Sequence, residues 1–119
     1  MKKAVFAQGA PAAIGPYSHG VAIGDLFFTS GQIALVPETG KLVDGGIQEQ
    51  TEQVLRNLEM VLSANGMTFA NVVKTTVFIT DLADFATRFP NDPPARSCVQ
   101  VAALPAGSRL EIELIAAKA

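Results

Sequence analysis

Ile47–Ala64 reads Ile-Gln-Glu-Gln-Thr-Glu-Gln-Val-Leu-Arg-Asn-Leu-Glu-Met-Val-Leu-Ser-Ala, and this stretch decides the fold. Its apolar residues recur at the spacing of one face of an α-helix. They are Ile47, Val54, Leu55, Leu58, Val61 and Leu62, and Thr51 lies on the same face. Asn65-Gly66, which follows, has the residue types that end helices. A helix of 18 residues, about 27 Å long, has one apolar stripe to bury, so we expect it to lie across a β-sheet.

The segments around this helix have the residue types and alternation of β-strands. They are residues 4–7, 20–23, 26–30, 72–80, the strand that contains Arg96, and 109–116. Gly24-Asp25 predicts a tight hairpin turn. A short second helix is predicted from Asp81, its N-cap, to Thr87, because prolines follow. The sequence therefore predicts an α+β fold in one domain, 1–119, with a mixed sheet and two helices packed on one face.

The composition indicates an oligomer. Hydrophobic residues make up 49% of the 119 residues and charged residues only 17%, which is apolar for a small soluble chain. The second face of the sheet also needs cover, and we expect other subunits to supply it.

Charge and cysteine content exclude several classes of function. The net charge is −2 and the nine basic residues are scattered, which disfavours nucleic-acid binding. One cysteine excludes an internal disulfide, and neither a membrane span nor a signal peptide is recognisable, so we expect a cytoplasmic protein. One histidine, one cysteine and no carboxylate cluster predict no metal site.

Arg96 stands in an unusual place for a charge, at the start of an apolar strand in residues 94–103. Alternation puts Arg96, Cys98 and Gln100 on one side of that strand. An arginine held there can bind a carboxylate through two parallel hydrogen bonds. From spacing alone, a structural contact of Arg96 with a nearby glutamate or with chain carbonyls is the simpler interpretation.

Residues in the loops offer weaker signals. Tyr17, the only tyrosine, follows Pro16, whose ring restricts the backbone. Gly31 follows Ser30 at a strand end, where a backbone N–H could face a ligand. His19 has no cysteine or aspartate near it, so we expect a surface or half-buried residue and not a catalyst.

Five segments, in order along almost the whole chain, resemble the reactive intermediate deaminase family, also called RidA or YjgF. They are Ala10-Pro11-Ala12-Ala13-Ile14-Gly15-Pro16-Tyr17-Ser18, Phe28-Thr29-Ser30-Gly31-Gln32, Val73-Lys74-Thr75-Thr76-Val77-Phe78, Pro94-Ala95-Arg96-Ser97-Cys98-Val99 and Glu111-Ile112-Glu113. The resemblance implies a chorismate-mutase-like fold assembled as a homotrimer with clefts between subunits. It also implies hydrolytic deamination, without a cofactor, of 2-aminoacrylate and 2-aminocrotonate to 2-oxo acids and ammonia.

The resemblance also implies roles for individual residues. Arg96 would bind the carboxylate of the 2-imino acid, helped by the backbone N–H of Gly31 or Cys98. Glu111 would position the attacking water and carry its proton, with Glu113 as the second candidate.

Three pocket roles complete what the resemblance implies. Tyr17 would close the pocket, Ser30 would line it, and Cys98 would form a wall without acting as a nucleophile.

One segment departs from the family pattern. Between Thr87 and Phe89 the family has further helical turns with an asparagine near the cleft, whereas only Arg88 stands here. Either a deletion shortens the second helix, or residues are missing from this segment. Two other functions stay open: a non-catalytic, chaperone-like trimer that binds small carboxylates, and an endoribonuclease or translation inhibitor.

Overall fold

We describe the chain from a computed structural model, which covers residues 1–84 and 93–119. It contains six strands and one α-helix in these ranges. They are β1 (Lys3–Val5), β2 (Gly20–Ile23), β3 (Leu26–Thr29), α1 (Ile47–Ala64), β4 (Val72–Ile79), β5 (Ala95–Gln100) and β6 (Leu110–Ala117).

The strands form a single mixed sheet in the order β1-β2-β3-β6-β4-β5. Strands β4 and β5 are parallel, and every other neighbouring pair is antiparallel. The predicted hairpin joins β2 and β3, and Gly24 adopts a φ of 55° in its turn, a conformation that favours glycine. The α+β class and the mixed sheet are confirmed.

Helix α1 has the bounds that the sequence predicted. It begins after Gly46, whose backbone N–H donates to Oε1 of Glu49 at 2.8 Å. It ends before Asn65, and Gly66 follows with a φ of 70°. Val54 and Leu58 are fully buried in one cluster with residues of the sheet, so the apolar stripe of the helix is buried as predicted.

The two faces of the sheet differ in cover. In β6, residues 110, 112, 114 and 116 are buried, whereas 111, 113, 115 and 117 are half-buried. The side away from the buried positions, here called the open face, carries Leu26, Phe28, Phe78, Val99, Glu111, Glu113 and Ile115. Leu26 and Phe28 are each 41% exposed. Residues 1–84 and 93–119 alone therefore do not cover both faces of the sheet.

The predicted second helix is described only at its start. Leu82–Asp84 forms a turn of 3-10 helix, and Oδ1 of Asp81 accepts a hydrogen bond from the Ala83 N–H at 3.0 Å, as expected of an N-cap. The rest of the predicted helix, with Thr87 and Arg88, lies outside the described residues. In the part of the chain that the structure describes, no helix could span a membrane.

Candidate functional site

A cavity of about 390 Å³, here called the cleft, lies where the loop before β2 meets the segment after β3 and the start of β6. Its lining residues come from these three places and the turn before β6. They are Pro11, Ala12, Ile14, Tyr17, Ser30, Gly31, Gln32, Ile33, Leu35, Pro105 and Glu111. Four of the six predicted site residues therefore share one cavity: Tyr17, Ser30, Gly31 and Glu111.

Glu111 and Gly31 are held side by side by backbone pairing. Gln32 N–H donates to the Ile112 carbonyl at 2.9 Å, and Ile112 N–H donates back to the Gln32 carbonyl at 3.1 Å. A β-carbon at position 31 would overlap Oε2 of Glu111 and lie 2.7 Å from its carboxyl carbon. A side chain at position 31 would therefore have to displace the Glu111 carboxyl from its place in the cleft.

The environment of Glu111 favours its protonated form. Burial raises the pKa of the Glu111 carboxyl above its ordinary value of 4.5, and the negative charge of Glu113 raises it further. A carboxyl group with a raised pKa is a stronger proton acceptor than an ordinary glutamate, which suits a group that must take up and return a proton.

Ser30 ties the loop before β2 to the rest of the cleft. Its hydroxyl donates to the Ser18 carbonyl at 2.7 Å, and its backbone N–H donates to the His19 carbonyl at 2.9 Å. Tyr17 stands next to this contact and is 43% exposed. The Ser30 hydroxyl proton is thus already used within the chain, while its oxygen can still accept a hydrogen bond.

Arg96 and Cys98 lie outside the cleft of their own chain, on strand β5. In the sheet Arg96 is level with Thr75, and Cys98 with Val77, both on the buried face. Cys98 is half-buried and packs against the core, whereas Arg96 is exposed.

Arg96 and Glu111 therefore belong to opposite faces of the sheet. Residues level with each other in neighbouring strands point to the same side. Glu111 is level with Phe78 and Val99, which alternate with the positions on the Arg96 side. The Cα atoms of Arg96 and Glu111 lie two strands apart across the sheet and three residues apart along the strand direction. This offset corresponds to about 14 Å. Their side chains cannot meet within one chain.

Buried amides on α1 position the wall of the cleft, and none of them was predicted from the sequence. The side-chain amide of Asn57, which is fully buried, donates to the carbonyls of Ile33 at 3.1 Å and Leu35 at 2.9 Å. Gln53 donates to Oδ1 of Asn57 at 3.0 Å, and Oε1 of Gln50 accepts from the Arg109 N–H at 2.7 Å. Polar residues at helical spacing beside an apolar stripe were the available signal.

No group of three or more histidine, cysteine, aspartate or glutamate side chains within residues 1–84 and 93–119 could hold a metal ion. The chemistry that the cleft offers is that of a carboxyl group, hydroxyl groups and backbone amides.

The sequence matches a known family over residues 7–118, and that family is described as Endoribonuclease L-PSP. This protein belongs to that family, which includes the reactive intermediate deaminases.

Two curated relatives show how far the similarity extends. The chain is 48% identical to 2-iminobutanoate/2-iminopropanoate deaminase of Mus musculus, with 98% of this chain and 91% of that protein covered. It is also 48% identical to Reactive Intermediate Deaminase A, chloroplastic, of Arabidopsis thaliana, and spans 97% of its own length but 65% of that protein.

A solved structure has the same fold. Escherichia coli TdcF, crystallised with bound serine, superposes with a TM-score of 0.88 at 42% identity, and 98% of this chain and 99% of that chain are covered.

Proposed function

We propose that this protein hydrolyses enamine and imine intermediates, chiefly 2-aminoacrylate and 2-aminocrotonate, to 2-oxo acids and ammonia. The observation that carries the proposal is the Glu111 carboxyl, which lies in the cleft against Gly31 with a raised pKa. The deaminase names of relatives at 48% identity support the reaction class. The serine bound by TdcF supports a substrate that is a small amino acid derivative.

The proposed reaction needs one proton carrier and no redox step. The imine form of the substrate has an electrophilic carbon between its nitrogen and its carboxylate. Water adds to this carbon, the C–N bond then breaks, and one ammonia leaves for each water consumed. Glu111 takes a proton from the water as the C–O bond forms and returns it to the departing nitrogen.

Arg96 is the proposed partner for the substrate carboxylate, through two parallel hydrogen bonds. Because Arg96 and Glu111 lie on opposite faces of one sheet, they can act on one substrate only when they come from two copies of the chain. The working form that we propose therefore contains more than one copy, and the resemblance to the reactive intermediate deaminases favours a homotrimer with its sites in clefts between subunits. The apolar open face, with Leu26 and Phe28 each 41% exposed, supports a further copy as its cover.

The other cleft residues have binding roles in this proposal. The backbone N–H of Gly31 and that of Cys98, from the neighbouring copy, assist Arg96 in holding the carboxylate. Tyr17 closes the cleft over the substrate, and Ser30 lines it while holding the loop of Tyr17 in place.

The net negative charge of the chain favours deamination over RNA cleavage, which is the activity named in the description of the family. Eleven acidic residues outnumber nine basic ones, whereas RNA backbones bind to clustered lysine and arginine. A non-catalytic carboxylate binder would use the same Arg96, but it would have no need of a proton carrier at Glu111.

The test generates 2-aminoacrylate in place with a serine dehydratase and follows its loss with and without the protein. We expect faster loss with the wild-type protein, and a fall of at least about 100-fold in kcat/KM for both Arg96→Ala and Glu111→Gln.

Two matched variants serve as controls for this experiment. Arg56→Ala and Glu59→Gln each change an exposed charged side chain on α1. Neither residue lines the cleft, so both variants should keep at least about a third of the wild-type rate. Equal acceleration by Arg96→Ala and wild-type protein would exclude the carboxylate role.

A further inference from the structure

The loop between β1 and β2 supplies one wall of the cleft, with Pro11, Ala12, Ile14 and Tyr17. Within this loop, backbone hydrogen bonds join Ala10 to Ala7 and Tyr17 to Gly15, which are local contacts. Such contacts shape the loop but do not fix it to the sheet. The Ser30 hydroxyl holds the Tyr17 end of this wall through the Ser18 carbonyl, so a further contact must hold the Pro11 end.

His19 provides that connection. The sequence predicted a surface or half-buried residue here, but the His19 side chain is buried and only 4% exposed. Its Nδ1 accepts a hydrogen bond from the Ala7 N–H at 2.9 Å, so Nε2 carries the proton and donates to the Pro11 carbonyl at 2.8 Å. The imidazole of His19 therefore links Ala7, at the start of the loop, and Pro11, in the cleft wall, to the chain directly before β2.

We propose that His19 is a positioning residue, which holds the Pro11–Tyr17 wall of the cleft in the conformation that binds substrate. This inference rests on the proposed function, because it assigns the substrate as the molecule that the wall contacts. His19 itself does not line the cleft, so it acts through its hydrogen bond to the Pro11 carbonyl and through the chain that joins it to Tyr17, two residues earlier.

Loss of the His19 imidazole should change how often the loop adopts its binding conformation. Without the imidazole, the Ala7 N–H and the Pro11 carbonyl lose their partners, and burying either group unpaired is costly. The loop then spends less time in the binding conformation, which weakens apparent affinity in proportion to the lost population. At saturating substrate the bound loop is ordered again, so kcat should stay nearly unchanged. Global destabilisation would instead reduce the amount of active enzyme and lower kcat at constant KM.

The sequence supplies a direct probe of this loop. Tyr17 is the only tyrosine and the chain contains no tryptophan, so the intrinsic fluorescence of the protein reports on the loop itself. Tyr17 anisotropy can therefore be measured without any substrate.

The experiment compares His19→Leu with His19→Gln in the full chain. Leucine fills a similar volume without polar atoms, whereas glutamine offers both an acceptor and a donor. For His19→Leu we expect lower Tyr17 anisotropy and a KM for 2-aminoacrylate about tenfold higher, with kcat within about twofold of wild type. For His19→Gln we expect both values to return towards wild type. If His19→Leu does not fold, His19→Asn, whose shorter amide cannot span both partners, gives the same comparison.

Thr68→Ala is the matched control, because Oγ1 of Thr68 accepts one backbone hydrogen bond, from Ala70 at 3.2 Å, outside the cleft. It should leave KM and anisotropy unchanged. Unchanged anisotropy in His19→Leu, a fall in kcat at constant KM, or failure of glutamine to restore KM would each overturn the positioning role. If the proposed deaminase function is wrong, the wild-type protein itself does not accelerate loss of 2-aminoacrylate. This outcome is distinct from those that overturn the role of His19.

Discussion

The carboxyl group of Glu111 lies where the side chain of any other residue at position 31 would begin. Gly31 follows β3 and Glu111 belongs to β6, and the pairing of Gln32 with Ile112 brings them together. This close approach makes glycine at position 31 a requirement of the site, because the three atoms nearest to its β-carbon position all belong to the Glu111 side chain.

Gly31→Ala should therefore damage the site directly. The new methyl group must displace the Glu111 carboxyl, which we expect to cost about 1–3 kcal/mol of unfolding free energy and most of the deaminase activity. Urea denaturation and the 2-aminoacrylate assay measure the two effects.

Gly40→Ala is the control for that substitution. Gly40 has a φ of 69° and a β-carbon there would meet nothing within 4 Å, so the variant should lose about 1 kcal/mol but keep its activity. Full activity in Gly31→Ala would contradict the requirement.

The raised pKa of Glu111 predicts how stability changes with pH. Because the pKa is higher in the folded chain than its ordinary value of 4.5, the folded state binds this proton more tightly than the unfolded state. The associated stabilisation is complete below pH 4.5 and is lost as the pH rises through the folded pKa. Glu111→Gln should thus gain stability relative to wild type as the pH rises towards neutral.

Urea denaturation of both proteins across this pH range tests that prediction. Glu113→Gln provides a second check, because removing the neighbouring charge takes away the smaller cause of the pKa shift. The prediction would be wrong if the stability of Glu111→Gln relative to wild type decreased as the pH rises.

Asn57→Ala should destabilise the wall of the cleft. The substitution removes the donors to the Ile33 and Leu35 carbonyls and the acceptor for Gln53, so we expect a loss of about 3 kcal/mol of unfolding free energy.

Asn65→Ala is a matched comparison, since the Asn65 amide only approaches the Met67 sulfur at 3.7 Å, and it should cost less than about 1 kcal/mol. Similar losses for both variants would show that the buried amide has no special role.

Phe28→Glu tests the proposed assembly. A charge on the open face should prevent another copy from covering it, so we expect light scattering after size exclusion to give the mass of one chain in place of three, with loss of deaminase activity. Met60→Glu, on α1, introduces the same charge at an equally exposed residue, since both side chains are 41% exposed. An unchanged mass for Phe28→Glu would remove the open face from the assembly.

The sequence alone predicted the local elements well. Helix α1 was predicted at both ends, and the hairpin between β2 and β3 was placed correctly. The strand near the N-terminus was less accurate, predicted at residues 4–7 and found at Lys3–Val5. Apolar periodicity and turn residues act over a few neighbours, so these features are readable from the chain.

The tertiary structure decided the relations between distant residues. Strand alternation predicts that Arg96 shares a face with Cys98, and that Glu111 shares a face with Glu113. Only the registers in which β5 and β6 pair with β4 show that the two faces are opposite. The burial of His19 and the contact of Gly31 with Glu111 likewise depend on segments far apart in sequence. Register is set by the burial of whole strands against the helix, which no local pattern specifies.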